Sequence, residues 1–394
     1  MSLSRFNFFS DAFYPDWTGG LQRYATELVA EAASQGHHGA IWTRAWRSSG
    51  LSEVEDLVGN AFSINEVFPL IPRRLRGIAL LFAGLFGPIK SDANAEVCVF
   101  HTSVLGAAFM NPGSKSRQIY VFHASAGHEL LVEAASSGRV GMVTKLKAAM
   151  LLHLERKCLT RADAVVVLSE FSRNLMRELH PRHVPERIVV IPGGTHVPEV
   201  PDLDVRLGQG PKSRRIVVLR RLEWRMGIDI LLSAFAASLA RQQGWVLDIV
   251  GTGSQESMLQ AQAQELGLGE SVVFHGRVSE ERRIELLDGA SLSVLPTRAL
   301  EGFGLSTVEA MARGVVPIVT SAGASPELVS GISPRLVCEP TEEGLRDAID
   351  YWAVESSQEL IDELGRDCLM AARRYDWKSV FSGYEALLDS TQDL

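Results

Sequence analysis

Short apolar runs rich in valine, isoleucine and phenylalanine alternate with helix-patterned stretches along nearly the whole chain, and this alternation narrows the fold more than any other feature. A brief run without polar alternation suits a strand buried on both faces, and strands separated by helices join in parallel. In the amino half, Arg5 to Phe9, Gly39 to Thr43, Glu96 to Phe100, Gln118 to Phe122 and Ala164 to Leu168 read as strands. In the carboxyl half the runs are Arg215 to Leu219, Trp245 to Val250, Ser271 to Phe274, Leu292 to Leu295 and Val315 to Val319. The expected class is α/β, with two similar parallel-sheet domains facing each other. The richest cluster of breakers, Pro192-Gly193-Gly194 through Pro198, Pro201 and Gly208 to Pro211, puts the boundary near residue 200, giving domains 1–199 and 200–394. The last amphipathic helix, about Trp377 to Leu388, can pack on either domain.

At 394 residues, with 46% hydrophobic and 22% charged, the chain is long enough for two such cores. Residues 1–195 hold 20 Lys+Arg against 17 Asp+Glu and residues 196–394 hold 19 against 30, so the halves carry +3 and −11. Neither value has the basic face of a nucleic-acid binder. Cys98, Cys158, Cys338 and Cys368 are scattered, without the pairing of a disulfide framework or the spacing of a zinc site. Met1-Ser2-Leu3-Ser4-Arg5 runs straight into a strand without a signal-peptide pattern, so a cytoplasmic location is expected. Residues 71–90, from Ile71-Pro72-Arg73-Arg74-Leu75-Arg76 to Ile89-Lys90, form an apolar run with basic flanks, too short to span a bilayer. Such a segment is either a buried helix or a peripheral contact with the inner face of a membrane.

The densest chemistry lies at Glu301-Gly302-Phe303-Gly304-Leu305-Ser306-Thr307-Val308-Glu309. Ala290 to Thr297 before it reads as a buried strand, and Ser306 through Arg313 reads as a helix closed by Gly314. The loop therefore sits at a strand's carboxyl end and a helix's amino end, where ligands collect in parallel sheets and amides face anionic oxygens. Ser306 and Glu309 also have capping-box spacing. After the first strand, Gly19-Gly20 opens the helix Leu21 to Gln35 and can lie beside phosphate oxygens. Arg220-Arg221-Leu222-Glu223-Trp224-Arg225-Met226-Gly227 follows a strand of the second domain and supplies guanidinium groups for a diphosphate. Gly251-Thr252-Gly253 begins like a dinucleotide fingerprint, but Glu256 stands at its third glycine position. His101 and His123 each follow a strand directly and are expected to point at a polar ligand in the cleft.

These segments resemble the retaining, nucleotide-sugar-dependent glycosyltransferases of family 4, which have the GT-B fold of two facing Rossmann-like domains. The resemblance rests on Glu301 to Glu309, followed by Ala310-Met311-Ala312-Arg313-Gly314, Pro317 and Gly323 to Glu327. It also includes Val167-Leu168-Ser169-Glu170-Phe171-Ser172, Ile191-Pro192-Gly193-Gly194 and His275-Gly276-Arg277-Val278. It implies that Glu309 holds the donor ribose, and that Glu301 with Gly302, Phe303, Gly304 and Leu305 holds the transferred sugar and phosphates. By the same resemblance Arg221 neutralises the diphosphate, Gly276, Arg277 and Val278 meet the base, His123 approaches the sugar, and Gly19 and Gly20 form the phosphate-side loop. Two positions depart from the family pattern. Met226 stands where the family has a lysine, with Arg225 as the expected substitute, and Thr195-His196 replaces Val-Asp.

The implied chemistry is metal-independent transfer, with no cofactor beyond the nucleotide-diphosphate sugar, UDP or GDP, that serves as co-substrate. The acceptor is a sugar, a lipid-linked sugar or a small molecule, and the anomeric configuration is retained. Asp202-Leu203-Asp204 matches a metal-binding Asp-x-Asp but lies in the Pro-flanked linker. A glycosidase, a sugar-nucleotide epimerase and an inactive nucleotide-sugar binder are the competing readings.

Overall fold

The computed structural model describes residues 4–12, 19–44, 51–68, 71, 73–86, 89, 95–136, 138, 140–198 and 213–389. The linker around residue 200 and the Asp202-Leu203-Asp204 match lie outside the described residues. The chain forms two compact units: Met1–Gly193 together with Trp377–Leu394, and Gly194–Asp376.

In the first unit β1 (Arg5–Ser10), β2 (His38–Thr43), β3 (Phe62–Glu66), β4 (Val97–Phe100), β5 (Arg117–Phe122), β6 (Ala164–Val167) and β7 (Ile188–Val190) form one seven-stranded sheet in the order β3-β2-β1-β4-β5-β6-β7. Every pairing is parallel, and Phe8 of β1 stands between Ile41 and Val99. Phe6, Phe8 and Phe9 are wholly buried there, because the middle strand of a helix-covered parallel sheet meets no water on either face. Phe9 stacks on Phe100, with centroids 4.5 Å apart, and the helices Ser103–Phe109 and Met142–Arg161 add Leu105, Phe109, Leu154 and Cys158 to that core.

In the second unit β8 (Arg215–Leu219), β9 (Val246–Val250), β10 (Val272–Gly276), β11 (Leu292–Leu295), β12 (Val316–Thr320) and β13 (Val337–Cys338) form a parallel sheet in the order β10-β9-β8-β11-β12-β13. Each sheet reverses its order once, between β1 and β4 and between β8 and β11. Chains leaving adjacent strands at such a point diverge and leave a crevice at the carboxyl edge. Each of the strands read from the sequence is present within a few residues. The three that were not read, β3, β7 and β13, all lie at sheet edges. An edge strand is not sealed on both sides, so β3, Phe62-Ser63-Ile64-Asn65-Glu66, carries no continuous apolar run.

The last helix, Trp377–Asp389, belongs to the first unit. Phe381 packs beside Phe6 at 5.8 Å and Trp377 meets Tyr24 edge-on at 5.4 Å. The buried hydroxyls of Tyr24 and Tyr384 share a hydrogen bond of 2.8 Å. Arg117 Nη1 donates to the Leu388 carbonyl at 2.9 Å, satisfying an orphan acceptor near the helix end.

The helix Arg73–Phe86 buries Leu80 and turns Leu75, Ile78, Phe82 and Phe86 outward, with Phe82 and Phe86 stacked at 5.9 Å. No helix among the described residues is long and apolar enough to cross a membrane. The buried-helix reading of this segment therefore holds for one face only.

Replacing Tyr384 with Phe strands the buried Tyr24 hydroxyl and is expected to cost about 1–3 kcal/mol in urea unfolding. The double change to Phe at both positions should cost less than the sum of the single changes, because neither hydroxyl is then left alone.

Candidate functional site

Within the second unit, the carboxyl ends of β8, β11 and β12 bring together one charged cluster. Arg220, the residue after β8, donates from Nη1 to Glu301 Oε2 at 2.5 Å and from Nη2 to Thr297 Oγ1 at 2.7 Å. Thr320, at the end of β12, donates in turn to the Thr297 carbonyl at 2.6 Å. Burial pushes the Glu301 carboxyl up, but the charge and hydrogen bond of Arg220, then Arg225 and the Phe303 N–H, outweigh it and hold it below the usual glutamate value. Glu301 is thus an anion with a fixed direction.

The backbone around Glu301 is held as tightly as its side chain. Leu300 has φ +59°, a left-handed conformation that an ordinary side chain adopts only when its surroundings require it. Arg225 Nη1 donates to the Leu300 carbonyl at 3.1 Å, and the Arg225 carbonyl accepts from Arg298 N at 2.9 Å. On the other side Gly323 has φ +81°, and a Cβ there would lie 2.6 Å from Glu301 Cβ. Gly304, at φ +98°, starts the helix Leu305–Ala312, and Phe303 is buried edge-on against Tyr375 at 5.6 Å. The helix start lies directly beside Glu301, so its amide dipoles add a favourable field for anionic oxygens.

The Ser306-x-x-Glu309 capping box does not form. The helix begins one residue before Ser306, behind a left-handed glycine with no side-chain cap, which places Glu309 beyond the first turn. Instead Glu309 accepts from Arg283 Nη1 at 2.5 Å. Arg283 belongs to the helix Glu280–Asp288 and also holds Glu280 through Nε at 2.9 Å.

The segment Gly276, Arg277 and Val278 leaves β10 with Gly276 at φ +62°, and its carbonyl accepts from Gly251 N at 2.8 Å. Gly251 and Gly253 serve packing: a Cβ on either would stand 1.8 Å from the Arg220 carbonyl oxygen or 2.3 Å from that of Leu222. Arg221 is exposed beside Arg220, and Met226 is buried with Arg225. Thr195, the second departure from the family pattern, pairs with Asp376 where the chain enters and leaves this unit.

Within the first unit, Gly19 in extended conformation precedes the helix Gly20–Ser34. That helix carries Tyr24 to the edges of His123, at 4.9 Å, and His101, at 5.9 Å. His101 Nδ1 and His123 Nε2 share a hydrogen bond of 3.1 Å. Burial lowers the His123 pKa to about 3, and burial with the neighbouring His123 puts His101 well below its usual value. Both imidazoles are therefore neutral near pH 7. His101 Nε2 and Asp11 Oδ1 are buried without a hydrogen-bond partner. A cavity of about 1030 Å³ in this unit lies elsewhere, at the amino ends of β4 and β5, lined by Glu96, Arg117 and Arg187 among others.

Two family descriptions match successive stretches of the chain, "Glycosyltransferase Family 4" over residues 18–197 and "Glycosyl transferases group 1" over residues 201–366. The chain belongs to the family 4-like GT-B glycosyltransferases. It is similar to an exopolysaccharide phosphotransferase of Streptomyces coelicolor, 33% identical over 193 residues that cover 48% of this chain and 19% of that protein. It is 29% identical over 237 residues to the GDP-mannose:cellobiosyl-diphosphopolyprenol alpha-mannosyltransferase of Xanthomonas oryzae pv. oryzae, covering 57% of this chain and 59% of that one. The chain thus spans less than two thirds of the length of these relatives. Among solved structures, Anabaena HepE in complex with UDP-glucose aligns with a TM-score of 0.71 at 17% identity, covering 98% of this chain and 100% of the other, which shows a common fold.

Against the family pattern, the structure gathers Arg225, Glu301, Gly302, Phe303, Gly304 and Leu305 at one strand edge, with Glu309 one helix turn further along. Gly276 is tied to that edge through Gly251. In the other unit His123 meets Tyr24, on the helix that Gly19 and Gly20 open. Two arginines escaped the sequence assignment. Arg220 was legible only as one of a pair, and Arg283 sits in an ordinary charged helix with no motif to mark it.

The histidines generate a pH prediction. Each has a folded pKa below its unfolded value, so the unfolded chain binds more protons as pH falls from about 6.5 toward 3 and stability declines through that window. Urea unfolding at pH 7 and pH 4.5 should show this loss, and the double variant His101→Asn/His123→Asn should show less of it.

Proposed function

We propose that the chain transfers a sugar from a nucleoside-diphosphate donor to an acceptor hydroxyl with retention of configuration and without a metal ion. The observation that carries this reading is the ionised, braced Glu301 beside arginine charge at the start of the helix Leu305–Ala312. Breaking a glycosyl–phosphate bond builds positive charge on the sugar ring and negative charge on the diphosphate. Arg221 and Arg225, with the amides of Gly302 to Leu305, supply the positive field for the leaving group, while Glu301 accepts hydrogen bonds from sugar hydroxyls. Glu309, held by Arg283, still has acceptor capacity for ribose hydroxyls, since a carboxylate has two oxygens. Gly276, Arg277 and Val278 meet the base. Neutral His123 is suited to hydrogen-bond an uncharged hydroxyl of the substrate, with Gly19 and Gly20 on the phosphate side. Attack from the face of the departing group, with a phosphate oxygen taking the acceptor's proton, retains configuration and needs no protein base.

A glycosidase acid requires a raised carboxyl pKa, and the Glu301 carboxyl moves the other way. The names of the relatives point to UDP or GDP as the donor nucleotide and support a sugar or lipid-linked acceptor. The outward stripe of Leu75, Ile78, Phe82 and Phe86 fits peripheral contact with the cytoplasmic face of a membrane, where such an acceptor is presented.

A UDP- or GDP-sugar should raise the melting temperature, since a ligand bound only by the native state stabilises it. If no sugar nucleotide among UDP, GDP, ADP and TDP forms does so and none is turned over, the reading fails. Arg225→Ala should lower turnover at saturating donor by about tenfold or more, and unchanged turnover would remove Arg225 from the site. Anionic phospholipid vesicles should sediment the protein and release it on Phe82→Asp, whereas equal sedimentation of both would discard the membrane contact.

A further inference from the structure

Arg220 is given no contact with the donor in the reading above, yet its geometry is tightly constrained. Its side chain is 8% exposed, and both Nη atoms are committed, one to Glu301 and one to Thr297. Thr297 is anchored in turn by Thr320, so the guanidinium is gripped from β11 and β12 at once. Its own backbone is enclosed by Gly251, where no side chain could stand. Its Nε is buried without a hydrogen-bond partner. A cation held this way has one direction available, and it passes that direction to the carboxylate it touches.

We propose that Arg220 is the positioning residue of the sugar-binding carboxylate: its two-pronged hold aims Glu301 at the hydroxyls of the donor sugar. This rests on the transferase reading. Glu301 lies in a buried setting that by itself favours the neutral acid, and a neutral carboxyl carries an O–H donor where the anion only accepts. Arg220 therefore serves both the direction and the charge of Glu301. Glutamine at position 220 removes both, whereas lysine keeps the charge and loses the fork.

The test compares Arg220→Gln and Arg220→Lys with the wild type, using UDP-glucose and GDP-mannose as donors. For Arg220→Gln the acid limb of kcat/KM should move to higher pH, so that activity falls about tenfold more than the wild type's between pH 8 and pH 5. For Arg220→Lys the pH profile should stay in place while the donor KM rises about tenfold, because an ammonium cannot span Glu301 and Thr297 as the guanidinium fork does. A purely structural ion pair would lower the melting temperature and leave both the acid limb and the donor KM unchanged, which overturns the proposal. A readout independent of substrate is the carboxyl carbon-13 titration of glutamate-labelled protein, with Glu301→Gln to assign the resonance. Glu301 should take up its proton at higher pH in Arg220→Gln than in the wild type, and an unmoved titration also overturns the proposal. Wild-type protein that turns over neither donor would count against the function reading, while the carboxyl titration still decides the role of Arg220. If Arg220→Gln does not fold, Arg220→Lys decides it through the donor KM.

Discussion

The ion pair between Arg220 and Glu301 is the contact around which the second unit's site is arranged. It spans the point where the sheet order reverses, joining the end of β8 to the loop after β11. Two buried charges are costly unless they meet in good geometry with their other groups satisfied. The surroundings provide that geometry through Thr297, the left-handed Leu300, and Gly323 pressed against the Glu301 backbone. Gly251 and Gly253 extend the same logic outward, since their missing side chains let β9's loop lie against the Arg220–Leu222 backbone. A glycine pair that looks like a phosphate-binding fingerprint is here a packing device.

The first unit works with the opposite electrostatics. Burial keeps His101 and His123 neutral, so they serve as hydrogen-bonding groups and carry no charge near pH 7. Their position is set by Tyr24, which stands on the helix opened by Gly19 and Gly20 and shares its hydroxyl with Tyr384 of the last helix. Trp377 and Tyr384 of the last helix thereby back the tyrosine that meets the histidines. The Arg220–Glu301 ion pair belongs to the second unit and the neutral histidine pair to the first.

Much of this was legible beforehand because its signals are local. Buried central strands announce themselves as apolar runs, and the helix at Leu305 was read to within a residue from its flanking glycines. The edge strands β3, β7 and β13 were not, since β3 mixes polar with apolar residues and β7 and β13 are only three and two residues long. The capping box at Ser306 and Glu309 was a correct spacing with the wrong outcome, because a left-handed Gly304 started the helix one residue sooner and Arg283 claimed the carboxylate. Arg225, expected to stand in for the lysine absent at Met226, is buried against the Leu300 carbonyl, where it braces the loop as well as lending charge.

The order of residues along the chain determined the α/β class, the family and the loop from Glu301 to Glu309, since periodicity and motif spacing concern residues only a few positions apart. The tertiary structure alone decided which arginine meets which carboxylate. Arg220 and Glu301, like Arg283 and Glu309, are brought together by strand order and helix placement across many intervening residues, and no local pattern encodes a pairing of that kind.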